Sequence, residues 1–189
     1  HLALPFFDEA HRQLADGLRD WTPAQAVDEA DDRAACRDWV RRLGDGGWLR
    51  YCVAAEHGGA LPALDSRALV VLRETLAFHS PLADFAFAMQ GLGSGAISLA
   101  GTPAQQAAYL PAVARGEKIA AFALSEPDAG SDVAACATRA VRDGDQWTIN
   151  GQKMFTTLAH EADYVFLLTR TNTEVAKHKG LTMFVVPMD

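Results

Sequence analysis

The chain changes character near Lys118, and that switch constrains the fold more than any other feature. Before it, apolar residues recur at three- and four-residue spacings; after it, short β-branched and aromatic runs alternate with turn signals. Residues 1–118 therefore predict an all-α helical bundle, and residues 119–189 an antiparallel, barrel-like β-domain. In the first part, Phe7, Leu14 and Leu18 fit one helical face, and a second helix is expected over 25–43, ended by Gly44. Asp65-Ser66 offers an N-cap to a third helix, in which Leu69, Leu72 and Leu76 repeat at helical spacing. Ser80-Pro81 opens a fourth that ends near Gly101; it is apolar all round and so belongs in the middle of a bundle. Thr102-Pro103 repeats that device, and Gln105 completes a capping box.

In the second part, strands are expected over 119–124, 137–141, 146–149, 153–157, 164–169 and 181–187. Asp143-Gly144-Asp145 makes a hairpin turn, and Asn150-Gly151 supplies a second turn signal. No Gly-rich turn follows a strand into a helix, so any nucleotide cofactor would be held by other means than a Rossmann loop. The net charge of −7 has no basic half to oppose it, which disfavours a nucleic-acid or anionic-membrane partner. No apolar run is long enough for a membrane span. Cys36, Cys52 and Cys136 are widely spaced and form no C-x-x-C, which argues against a disulfide framework or a zinc site. The six histidines show no metal-binding spacing, and His57, His160 and His178 sit in polar or glycine-rich surroundings. Neither terminus has the character of a natural chain end, so both are expected to be cut from something longer.

Two segments carry candidate chemistry. In Phe122-Ala123-Leu124-Ser125-Glu126-Pro127-Asp128-Ala129-Gly130-Ser131-Asp132, an apolar strand runs into a loop holding two hydroxyls and a turn that can bring Ser131 back towards Ser125. Hydroxyls and backbone N–H groups at a sheet rim suit the carbonyl and nitrogen edge of an isoalloxazine ring. In Asn150-Gly151-Gln152-Lys153-Met154-Phe155-Thr156-Thr157, a strand would put Phe155 and Thr157 on one face, an aromatic ring beside a hydroxyl. Taken singly, the first also reads as a solvated turn and the second as an amphipathic strand with Phe155 in the core.

Together, in this order, the two segments resemble the acyl-CoA dehydrogenase family, as do Glu56-His57-Gly58-Gly59 and Gly101-Thr102-Pro103-Ala104-Gln105-Gln106. The resemblance covers the helical N-terminal domain and the first part of the middle β-domain, and implies truncation before a C-terminal helical domain. It implies FAD as cofactor and an acyl-CoA as substrate, with α-proton abstraction and β-hydride transfer to flavin. Phe122, Leu124, Ser125, Phe155, Thr156 and Thr157 would contact FAD, and Ser131 the acyl-CoA. Glu126 and Asp132 would shape the loop rather than act as bases, and no catalytic residue is expected in this chain. The base would be a glutamate of the C-terminal domain, so residues 1–189 alone would not turn over. Electron-transfer flavoprotein is the implied acceptor and a homo-oligomer the implied assembly. Arg outnumbers Lys 13 to 4, which points to a GC-rich bacterial genome and hence the cytoplasm, with the mitochondrial matrix as the alternative. Leu158 departs from the family pattern, in which Asn is frequent there, and Asp128 stands at a turn position often held by Gly. Alternatives are a relative with other flavin chemistry (an oxidase, a desulfinase or a monooxygenase) and a non-catalytic partner subunit of a heteromeric dehydrogenase.

Overall fold

The computed structural model describes residues 1–188, which form two compact units, His1–Ile119 and the residues from Ala120 on. The first unit is helical: α1 (Glu9–Trp21), α2 (Asp32–Asp45), α3 (Ser66–His79), α4 (Pro81–Ala100) and α5 (Pro103–Ala114). Each begins where a short polar side chain can take up otherwise unpaired N–H groups. Asp8, Asp31, Asp65, Ser80 and Thr102 are the N-caps, and the Thr102–Gln105 capping box forms in full. The core comprises Leu18, Leu43, Leu49, Leu72, Leu76, Phe87, Ile97 and Leu110, each at most 2% exposed. Gly44 lets α2 approach the turn after α5, because a Cβ there would collide with the Arg115 carbonyl.

Two helical expectations are corrected. The second helix starts at Asp32 rather than near Gln25, because Asp31 caps it and Glu29 is bonded to residues outside its own segment. The Glu29 Oε1 accepts from the Trp39 indole N–H at 3.1 Å and from the Ser80 hydroxyl at 2.5 Å. The fourth helix packs against α2, α3 and α5 but is not surrounded. Phe85, Leu92 and Leu99, spaced seven apart, are half-exposed or exposed along one side.

The second unit is a five-stranded sheet of β1 (Ala120–Ala123), β2 (Arg139–Asp143), β3 (Gln146–Asn150), β4 (Tyr164–Arg170) and β5 (Leu181–Pro187). β4 is the central strand. β5 pairs with it antiparallel along its whole length, from Tyr164 opposite Pro187 to Arg170 opposite Leu181. β1 runs parallel to its first half, with Phe122 opposite Phe166, and the two rings stack at 5.8 Å. β2 takes over at Arg170, also parallel, and folds back antiparallel onto β3 across a two-residue turn at Gly144-Asp145, with Gly144 left-handed at φ 60°. The sheet is thus mixed and open rather than a closed antiparallel barrel. Its centre is legible in composition: Tyr164, Val165, Phe166 and Leu168 are buried, whereas the β2–β3 hairpin is largely solvated.

Candidate functional site

All seven sequence-designated site residues lie in the sheet unit, on β1 and the two loops that follow β1 and β3. Phe122 is on β1 and half-buried against Phe166, and Leu124 and Ser125 leave the strand end half-buried. Glu126 and Ala129 then exchange backbone hydrogen bonds at 2.9 and 3.2 Å, closing the Pro127-Asp128 turn and leaving Ser131 exposed beyond it.

The expected strand over 153–157 does not form. Residues 151–156 form a loop without regular structure, tied back by the Met154 N–H, which donates to the Ser125 carbonyl at 2.8 Å. That bond brings the two motif segments side by side. Gly151 lets the start of this loop pass close against Thr138, with which a Cβ there would collide. Phe155 then adopts a left-handed backbone at φ 55° and is 89% exposed, rather than entering the core. A left-handed, non-glycine, exposed aromatic has neither local preference nor burial in its favour, so its surroundings impose the geometry. Leu158 is also left-handed, at φ 61°, but buried, and anchors the far end of the loop. An Asn would tolerate that backbone better; Leu holds the position through packing.

Around Phe155 the available groups are neutral hydroxyls. Those of Ser125, Thr156 and Thr157 have no hydrogen-bond partner among the described residues; Ser125 and Thr156 are half-buried and Thr157 is exposed. An exposed aromatic face with uncommitted hydroxyls is a donor set that fits the polar edge and flat face of a flavin.

Beneath these segments is a polar cluster that sequence reasoning assigned only in part. Glu126 is 8% exposed. Its carboxylate accepts from Lys153 Nζ at 2.7 Å, from the backbone N–H groups of Ala137 and Thr138 at 2.6 and 2.9 Å, and from the Cys136 thiol at 3.0 Å. Burial alone would raise its pKa, but the Lys153 ammonium and then the other donors hold it well below the usual carboxylate range. Burial and the neighbouring carboxylate push the Cys136 thiol up, so it stays a thiol. A carboxylate so saturated with donors shapes the loop rather than abstracting protons, the role expected for Glu126. Lys153 and Cys136 were not anticipated here; the signal available was a lysine within the second motif, three residues after Asn150. Asp132 is exposed and pairs with Lys177. No group of three or more His, Cys, Asp or Glu able to hold a metal occurs among the described residues. No helix among them is long and apolar enough to cross a membrane.

Comparison with known proteins covers both units. The family model described as "Acyl-CoA dehydrogenase, N-terminal domain" matches residues 8–117, and "Acyl-CoA dehydrogenase, middle domain" matches residues 121–189. Acyl-CoA dehydrogenase FadE29 of Mycobacterium tuberculosis is 36% identical over 183 residues, 93% of this chain and 46% of that protein. Among solved structures, an acyl-CoA dehydrogenase from Geobacillus kaustophilus aligns with a TM-score of 0.83 at 30% identity, over 98% of this chain and 50% of that one. The ChsE4-ChsE5 complex of Mycobacterium tuberculosis aligns at 0.79 and 30% identity, over 96% and 47%. The chain spans about half the length of the curated relatives it matches.

Proposed function

The chain belongs to the acyl-CoA dehydrogenase family, and from that premise we propose that its parent protein dehydrogenates an acyl-CoA thioester between the α and β carbons with FAD as cofactor. The observation that carries this reading is the exposed, left-handed Phe155 among the uncommitted hydroxyls of Ser125, Thr156 and Thr157. Bound there, FAD would supply the hydride acceptor. Phe155 would stack on the ring, with Phe122 and Leu124 against it. Ser125, Thr156 and Thr157 would hydrogen-bond its edge and favour added negative charge without bringing a formal charge of their own. Ser131 would hold the acyl-CoA. Glu126 is committed to its four donors, so the proton acceptor is assigned to a carboxylate outside residues 1–189. Electron-transfer flavoprotein is the proposed electron acceptor, and a homo-oligomer in the bacterial cytoplasm the proposed setting.

A second reading is a partner subunit of a heteromeric dehydrogenase. Buried Leu158, left-handed at a position that favours Asn, is the observation behind it, and one of the aligned structures is the ChsE4-ChsE5 complex. The visible spectrum of the full-length parent, taken before and after anaerobic addition of a panel of acyl-CoAs, separates the two. Bleaching of an oxidised flavin band is the expected result. A bound flavin that stays oxidised against the whole panel favours the partner subunit, and a parent with no flavin overturns the FAD assignments.

A further inference from the structure

Lys153 and Glu126 have no chemical part in the proposed reaction, yet they sit at the junction of everything that has one. Lys153 Nζ donates to the Leu124 carbonyl at 2.9 Å and to Glu126 Oε1 at 2.7 Å, and lies 3.4 Å from Cys136 Sγ. Leu124 and Glu126 flank Ser125, and Lys153 immediately precedes Met154, whose N–H donates to the Ser125 carbonyl. The Glu126 carboxylate meanwhile fixes the chain at Ala137 and Thr138, just after the Ser131-Asp132 turn. Three loop segments therefore converge on one ion pair whose side chains are 9% and 6% exposed.

An ion pair this deeply buried is a poor source of net stability, because removing both charges from water costs nearly as much as their attraction returns. What it does well is fix geometry. The Phe155 backbone is held in an unfavourable region, and such a conformation persists only where the flanks over-determine it. Leu158, packed in the core, is one flank; Lys153, two residues before Phe155, is the other. We propose that the Glu126–Lys153 pair is a positioning clip for the flavin site: it sets the spacing between Ser125, the Phe155 ring and the Thr156 and Thr157 hydroxyls before FAD arrives, so that binding does not have to order them. The clip rests on the flavin reading given above, and it deepens that reading by naming the residues that pre-organise the site. Neither side chain is a catalytic residue.

The test uses the full-length parent, stripped of cofactor and titrated with FAD by flavin fluorescence, with hydrogen exchange at the Met154 amide followed in the apoprotein. Lys153→Met keeps the length of the side chain and leaves Glu126 its backbone and thiol donors. It is expected to weaken FAD binding about tenfold, close to 1.4 kcal/mol, and to speed exchange at Met154 at temperatures where the protein is folded. Lys153→Arg, which keeps the charge, should recover most of the affinity. Val165→Ala, in the core of β4, is the control for lost stability alone: it should lower the melting temperature and leave FAD affinity unchanged. Should Lys153→Met fail to fold, Lys153→Gln, with a shorter donor and no charge, carries the same expectation. FAD affinity equal to the parent's in the Met or Gln variant overturns the clip, as does an equal loss in Val165→Ala. A parent that binds no FAD overturns the flavin reading and the clip together; a parent that binds FAD as tightly as its variants overturns the clip alone.

Discussion

The two units use acidic side chains in opposite ways. In the helical unit Asp8, Asp31 and Asp65 each cap the helix they precede, accepting from N–H groups two or three residues on. In the sheet unit Glu126 gathers donors from residues 136, 137, 138 and 153. The first kind of carboxylate is replaceable by water at modest cost, because its partners lie at an exposed helix end. The second is not, because its carboxylate is buried and its donors come from two other segments of the chain. Local polar chemistry builds elements; non-local polar chemistry holds loops that belong to no element.

That contrast predicts unequal losses. Glu126→Ala leaves the largely buried Lys153 ammonium without its counter-charge and the Ala137 and Thr138 N–H groups without their acceptor, and is expected to destabilise the sheet unit by about 3–5 kcal/mol. Asp65→Ala removes a cap and a partly exposed pair with Arg67, and should cost the helical unit about 1 kcal/mol. Chemical denaturation of the two variants measures both. Equal losses would erase the distinction between the units.

Acid should sharpen it. The folded pKa of Glu126 lies below its unfolded value, so its contribution is complete above about pH 4.3 and is lost as pH falls from there towards the folded value. The unfolding free energy of the parent should therefore be nearly flat in this respect through neutral pH and fall below about pH 4.3. Glu126→Gln, which cannot titrate, should show a shallower fall over the same range when denaturation is repeated at a series of pH values. Asp65, held low chiefly by its hydrogen bond from Arg67, leaves a residual slope in that variant. An unchanged slope would mean that Glu126 is not held ionised.

The same division decides how much could be read in the sequence. Ser80-Pro81, Asp65-Ser66 and Thr102-Pro103 with Gln105 announce helix starts because a cap and its targets lie within one turn, and all three form as the spacing implies. The second helix was harder because Glu29, an acceptable helix residue, is recruited by Trp39 and Ser80, ten and 51 positions away. In the sheet, turn residues and β-branched runs locate every strand that forms. They do not give the parallel pairing of β1 with β4, which spans some forty residues of intervening chain. The segment 153–157 has strand composition but loop geometry, since Met154 bonds to Ser125 and Phe155 turns left-handed. Alternation of side chains cannot reveal a backbone held by a lysine beneath it. The residues of the candidate site were legible as types; their arrangement around Phe155 was not.

The smallest expected effect isolates that arrangement from stability. Phe155 is exposed, so replacing it removes almost no buried apolar area, while its left-handed backbone costs more for Phe than for Asn, whose short polar side chain bonds locally. Phe155→Asn should therefore stabilise the folded chain by up to about 1 kcal/mol, read as a small rise in melting temperature. In the full-length parent the same substitution removes the proposed stacking surface and should weaken FAD binding. A gain in stability joined to a loss of cofactor affinity is what a strained functional position produces, because the ring is kept there against the backbone's preference. A variant that is both less stable and unchanged in FAD affinity would show instead that the Phe155 ring supports the loop and has no part in holding the flavin.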